Sequence, residues 1–213
     1  MTRKLFLTII FSFLLLLPQG SLAAATELQQ ILDELKVAAV ATETISSQFV
    51  QEKHLQIFRE KLLSRGNFVY QKPDRLRWEL LSPVASGFVL RGAEGERWNS
   101  LSRERSRFSA ENDPIMGMIA QQLLAWARVD VAWLQSRYQM ELLSARPLKL
   151  RLRPLDQGEA GFIDYLQILF AANRRHIAEV LMAEQGGDST LLRFNNVKLN
   201  RELPAGTFQP AEF

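Results

Sequence analysis

The chain has 213 residues, 47% of them hydrophobic and 23% charged, and no cysteine. That length suits one domain with an adequate core, and the missing cysteine excludes disulfides, thiolate metal sites, iron–sulfur clusters, cysteine nucleophiles and a lipid-modified N-terminal cysteine. The formal charge of +3 falls to +1 without the first 25 residues, which hold Arg3 and Lys4 and no acid and leave 24 basic against 23 acidic side chains; so balanced a chain lacks the concentrated positive surface that nucleic acid demands.

Arg3 and Lys4 precede an apolar run from Leu5 to Leu17 that stops at Pro18. Its length falls short of the ~20 residues a spanning helix needs. Small residues follow, with Ala23, Ala24 and Ala25 offering several cleavage positions. This three-part order predicts a secretory signal peptide over residues 1–25, removed on export, rather than a retained anchor. A single domain over 26–213 in the periplasm is then expected.

Thr26-Glu-Leu-Gln29 reads as a capping box. Leu28, Ile31, Leu32 and Leu35 repeat at helical spacing and predict one apolar helix face that fades near Thr42–Thr44. From Phe49 the period shortens to two. Strands are predicted over Leu62–Tyr70 and Arg75–Leu80, joined by the turn Lys72-Pro73-Asp74. In the second of these Leu76, Trp78 and Leu80 face one side while Arg75, Arg77 and Glu79 face the other. Phe88–Arg91, a Gly92–Gly95 turn and Arg97–Leu101 continue a meander of hairpins. Asp113-Pro114 then opens a helical insert through Arg128, with Ile115, Met116, Met118, Ile119, Leu123 and Trp126 on one stripe and Leu124 outside it. Short strands resume at Tyr138–Leu143, Leu148–Arg153, Tyr165–Phe170, His176–Met182 and Thr190–Val197, with a hairpin turn at Gly186-Gly187-Asp188.

The known catalytic and phosphate-binding motifs are missing. The two histidines, His54 and His176, sit in alternating segments and read as strand-surface residues rather than metal ligands or bases. Asp130, Asp156, Glu159 and Asp164 read as solvated loop carboxylates rather than an acid–base pair. Arg103, Arg105 and Arg107 alternate as the charged face of an edge strand, which discourages unwanted pairing. No cofactor or metal is expected, and no enzymatic activity.

What remains is apolar surplus. The strand face of Phe68, Tyr70, Leu76, Trp78 and Leu80 needs a cover, and the insert from Pro114 to Arg128 can supply it, giving an α+β domain. Met116 and Met118 flank Gly117, and flexible thioethers suit a surface that repacks around varied partners. The insert is therefore predicted to be a movable lid.

Phe49-Val-Gln51, Gly66-Asn-Phe68-Val-Tyr70-Gln-Lys72-Pro73-Asp-Arg-Leu76-Arg-Trp78, Phe88-Val-Leu90 and Gly95-Glu-Arg-Trp98 resemble the periplasmic outer-membrane lipoprotein carrier (LolA-like) family. The ending, with Leu192, Phe194 and then Phe208-Gln-Pro210, is also similar. The resemblance implies an unclosed antiparallel half-barrel whose concave apolar face is lidded by helices and holds the acyl chains of a lipoprotein or another lipid. Cavity residues expected on these grounds are Phe68, Tyr70, Leu76, Trp78, Leu80, Phe88, Leu90, Met116, Ile119 and Leu123. The family's arginine before the hairpin proline, which helps hold the lid shut, is replaced here by Lys72; that lysine keeps the charge without the bidentate fork and is expected to be the lid latch. A donor complex at the inner membrane and an acceptor at the outer membrane are the implied partners, with the carrier itself a monomer. The competing readings are an adaptor whose core is self-filled and, further off, an enzyme acting on lipid or glycan.

Overall fold

A computed structural model describes residues 19–109 and 111–211, with side chains from Ala25 onward. Arg3, Lys4 and the apolar run lie outside the described residues. The elements are α1 (Gln19–Val40), β1 (Thr44–His54), β2 (Leu62–Gln71), β3 (Arg75–Ser82), β4 (Ser86–Arg91), β5 (Glu94–Asn99), β6 (Glu104–Ser109), α2 (Pro114–Arg128), α3 (Val131–Arg137), β7 (Tyr138–Ala145), β8 (Leu148–Pro154), α4 (Gln157–Ala160), β9 (Ile163–Phe170), β10 (Ile177–Glu184) and β11 (Ser189–Leu199).

The strands form a single 11-stranded sheet in the order β6-β5-β4-β3-β2-β1-β11-β10-β9-β8-β7. Every pairing is antiparallel, so each hairpin joins sequence neighbours except at β1, where β11 returns to pair with it from Ile45–Leu199 to His54–Ser189. β6 and β7 do not pair with each other, and the sheet stays open. The expected α+β half-barrel, unclosed and carrying helices, is therefore the observed architecture. Arg105 and Arg107 lie on β6, an edge strand as their alternation predicts.

Register decides which residues share a face. Ser47, Phe68, Trp78 and Phe88 are aligned across β1 to β4, and Phe49, Gly66 and Leu80 form the next row on the same face. A Cβ on Gly66 would lie 2.1 Å from the Glu79 carbonyl oxygen and 2.5 Å from the Phe49 ring. Only a residue without a side chain lets that ring lie flat on the sheet. Opposite this face, Val89 and Trp98 are also buried, and the Arg77 guanidinium stands 5.1 Å over the Trp98 ring. Arg77 also donates to the Thr207 carbonyl at 3.2 Å, strapping the C-terminal segment across the convex side.

Three expectations about local structure are corrected. α1 begins at Gln19, ahead of Thr26, because the strong helix formers of Leu22–Ala25 carry the helix upstream; Ala23, Ala24 and Ala25 thus lie within it. Its apolar face is the expected one, with Ile31, Leu32 and Leu35 buried. β5 starts at Glu94 rather than Arg97, since a two-residue turn with Gly92 at φ 69° suffices to reverse the chain. His176 lies in the loop before β10, off the strand surface and half buried.

Candidate functional site

α2 follows the sequence cues closely. Asp113 caps it by accepting from Met116 N at 3.1 Å, Pro114 occupies its first turn, and Val129 closes it in the left-handed region at φ 50°. The stripe differs from the expected one. Gly117, Ala120, Leu123, Leu124, Ala125 and Ala127 are buried, while Ile115 and Met118 are 68% and 53% exposed. A helix that packs small residues against the body on one side and borders a cavity on another does not reduce to a single stripe. Leu124 is on the packed side, and the helix runs unbroken through Gly117.

Between α2 and the concave face lies an open cavity of ≈ 1290 Å³. It exceeds the ~300–1,000 Å³ of ordinary small-molecule sites. Trp78, Leu80 and Phe88 line its floor, Met116, Met118, Ile119, Leu123 and Trp126 line the α2 wall, and Met182 and Leu192 extend it along β10 and β11. Phe49 stacks on Trp78 with ring centroids 4.0 Å apart, and Phe68 and Phe194 complete an aromatic bed with centroids 5.8–6.4 Å apart. Such offset and edge-to-face pairs hold a smooth apolar floor at fixed height.

The residues expected at the cavity separate into two groups. Trp78, Leu80, Phe88, Met116, Ile119 and Leu123 line it. Tyr70, Leu76 and Leu90 share the same strand face but lie in the continuous core and off the cavity, while Phe88 and Leu123 belong both to that core and to the cavity lining. Phe68 lies between the groups, lining a small space beside the main cavity. Sequence alternation placed Phe68, Tyr70, Leu76, Trp78 and Leu80 on one strand face, as the register has them; it carries no record of how far along a strand the cover extends. Met182, Leu192 and Trp126 were not among the expected cavity residues, although the Leu192–Phe194 alternation places both inward.

Among the described residues no hydrogen bond or ion pair joins Lys72 to α2. Its ammonium reaches Glu43 Oε1 at 3.1 Å and the Val40 carbonyl at 3.4 Å, tying the β2–β3 turn to the end of α1. The contact between that turn and α2 comes from the helix: Arg128 donates to the Pro73 carbonyl and to the Tyr70 phenol, whose pKa burial pushes up. At the other end Arg97 pairs with Asp113 at 2.7 Å. Midway, the Tyr138 phenol donates to Glu159 Oε1 at 2.5 Å, and Arg137 pairs with the same carboxylate at 3.1 Å. The phenol has one proton, so its 2.7 Å contact with the Gln122 amide is made with the amide turned to donate; that orientation also gives the otherwise unpartnered Gln122 Nε2 a partner. Burial and the adjacent carboxylate both raise the Tyr138 pKa, so this phenol keeps its proton. Glu159 is thereby a member of a polar clasp rather than a solvated loop carboxylate. Asp130 and Asp156 cap α3 and α4.

The small space lined by Phe68 holds ≈ 20 Å³ and lies deeper along the sheet, sharing Leu123 and Trp126 with the main cavity. Ser47 Oγ, Trp126 Nε1 and His176 Nδ1 border it without a hydrogen-bond partner among the described residues. A space of that size admits one water-sized group. Burial, with a smaller contribution from Arg175, lowers the His176 pKa, so the ring is neutral at pH 7. On the convex side an open groove of ≈ 1350 Å³ lies between the sheet and residues 201–210; Gln48, Asn67, Arg77 and Glu79 border it together with Val69, Val197 and Leu203, so its walls are mixed where those of the concave cavity are mainly apolar. Among the described residues no three His, Asp or Glu side chains gather as a metal site, and no helix is long and apolar enough to cross a membrane.

The family model described as "Outer membrane lipoprotein carrier protein LolA" matches residues 41–211. An outer-membrane lipoprotein carrier protein of Pseudoalteromonas translucida (strain TAC 125) is 22% identical over 199 residues, covering 92% of this chain and 89% of that protein. Among solved structures, an uncharacterized conserved protein of Thermus thermophilus is 11% identical with a TM-score of 0.54, covering 87% of this chain and 94% of that one. A chain of the Pseudomonas aeruginosa MucA/MucB complex is 14% identical with a TM-score of 0.55, and the match spans 87% of this chain but only 61% of that one. At such identities these structures share the fold alone.

Proposed function

The chain belongs to the outer membrane lipoprotein carrier (LolA) family, and on that premise we propose that it is a periplasmic carrier that shields the acyl chains of a lipoprotein or another lipid during transfer toward the outer membrane. Residues 1–25 are its export signal, residues 26–213 the carrier domain, and it acts as a monomer. A donor complex at the inner membrane loads it and an acceptor at the outer membrane relieves it of cargo, as the family resemblance implies.

The observation that carries this reading is the ≈ 1290 Å³ cavity floored by aromatic and aliphatic side chains and walled by a methionine-bearing helix. A self-filled core would have Trp78, Leu80 and Met118 packed rather than part-exposed on this cavity, because interiors close to crystal-like density. Each methylene moved from water onto this surface contributes ~0.8 kcal/mol, so affinity needs no specific polar contact and no bond is made or broken. Removal of cargo then requires an opening. α2, held by Arg97–Asp113, Gln122–Tyr138 and Arg128–Pro73, is the element that moves.

Native mass spectrometry of the protein purified from the periplasm tests the reading. Co-purifying lipid is expected, with less of it on Trp78→Ala and Leu80→Ser at unchanged far-UV circular dichroism. A lipid-free protein that also fails to take up added fatty acid would mean an adaptor and not a carrier.

A further inference from the structure

The exposed large apolar side chains are not spread evenly over the molecule. Ile57 is 84% exposed, Leu101 79%, Phe162 77% and Phe58 51%. They lie in the loops β1–β2, β5–β6 and α4–β9, all at one end of the half-barrel. The cavity opens at the same end: Lys53, Arg103, Glu104 and Ile163, each at or next to the end of its strand there, are among its lining residues. At the opposite end the turns 72–74, 92–93, 146–147 and 171–176 carry no exposed large apolar residue, and the exposed apolar side chains there are the smaller Val37 and Val40 at the end of α1.

The β1–β2 loop is also held in shape. Gln56 N donates to Asp188 Oδ1 at 2.8 Å, Phe58 N to the Leu55 carbonyl at 2.9 Å, and Lys61 pairs with Glu52 at 3.1 Å. Its tip therefore presents Ile57 and Phe58 outward at little ordering cost. Two of these regions carry two bases to one acid: Arg59 and Lys61 with Glu60 in the β1–β2 loop, and Arg103 with Glu104 and Arg105 where the β5–β6 loop enters β6; the α4–β9 loop carries no base. Lys61 and Arg105 are paired with Glu52 and Glu96, whereas Arg59 and Arg103 make no ion pair among the described residues.

We propose that this open end docks on the surface of a lipid bilayer, with Ile57 and Phe58 entering the headgroup region and Arg59 and Arg103 meeting lipid phosphates. Single bulky apolar side chains on a projecting tip, interleaved with long cationic ones, fit a soft interface, where the aliphatic stems lie in the apolar boundary and the charges stay among headgroups. The proposal rests on the carrier reading only for what the contact achieves: an acyl chain leaving the mouth passes into lipid without crossing water.

Flotation of the periplasmic protein, its leader shown by mass to be absent, with vesicles containing phosphatidylglycerol and with vesicles of phosphatidylcholine alone is the test. The protein is expected to float with both and better with the anionic lipid. Ile57→Ser with Phe58→Ser should lower the bound fraction about tenfold, and Arg59→Ser with Arg103→Ser should abolish the preference for phosphatidylglycerol. Lipid content by native mass spectrometry should be unchanged in the tip variant, whose two residues do not line the cavity. Tip-dependent flotation of a protein that carries no lipid would sink the carrier reading and leave the docking intact. Equal flotation of the parent and the tip variant, or none by the parent, overturns the proposal. So does a photo-crosslinker at position 57 that traps a protein and no lipid in whole cells.

Discussion

Leu76 and Leu80 stand on the same strand, on the same face, four residues apart, and live in different regimes. Leu76 is fully buried in the continuous core with Tyr70 and Leu90, at the end where Arg128 fastens α2 to the β2–β3 turn. Leu80 is half-buried on the cavity wall with Trp78 and Phe88. One sheet face thus serves as core at its closed end and as binding surface at its open end. The chemistry of the residues is the same; what differs is whether a packed helix reaches them. A carrier needs both, since the closed end supplies the stability that the open end cannot.

The largest expected effect separates the two ends. Leu76→Ala should cost ~2–5 kcal/mol of unfolding free energy, as for any fully packed leucine, and leave the lipid content of the folded fraction unchanged. Leu80→Ser should cost only about 1 kcal/mol and reduce bound lipid. Urea unfolding with native mass spectrometry on each variant checks both; equal costs would erase the distinction between core and cavity.

Next in size is the fastening of α2. Arg128→Ala removes a charge-assisted hydrogen bond to the Pro73 carbonyl, worth up to ~1.5–3 kcal/mol when shielded and less at this partly exposed site. It should raise hydrogen exchange in residues 120–128 and speed lipid release. Lys72→Leu breaks a pair with Glu43 whose partners are 44% and 63% exposed, and should leave both unchanged. If Lys72→Leu is the variant that frees α2, the latch is the lysine after all.

The smallest effect is a pH dependence. In the unfolded chain His176 takes up a proton near the ordinary value of ~6.5. In the folded protein burial, and to a lesser degree Arg175, depress its pKa, so the unfolded state binds more protons as pH falls through that value. Stability is therefore lost on acidification through the ordinary histidine range. His176→Gln should flatten that part of the urea-midpoint profile; an identical profile would place the titration elsewhere.

Much of the fold was legible in the sequence because hairpins and caps are local. Asp113-Pro114 marked α2 to the residue, and the alternation of Leu76, Trp78 and Leu80 placed them on one face. The division of that face was not legible, because it depends on where α2 and α1 lie, and their contacts are long-range. Lys72 was assigned the latch from its place beside the proline; the contact actually made joins Arg128 to a turn 55 residues away. His176 alternates with its neighbours in the sequence yet sits in a loop, and only the tertiary structure brings it beside Ser47 and Trp126.

Hydrogen exchange with and without bound lipid reads both ends in one experiment and tests the central claim most directly. The two-regime account expects residues 115–127 to exchange readily in the lipid-free protein and to gain protection when lipid fills the cavity. Amides of Tyr70, Leu76 and Leu90 should be strongly protected in both states. Equal, strong protection of 115–127 with and without lipid would make α2 a fixed core element and contradict the account.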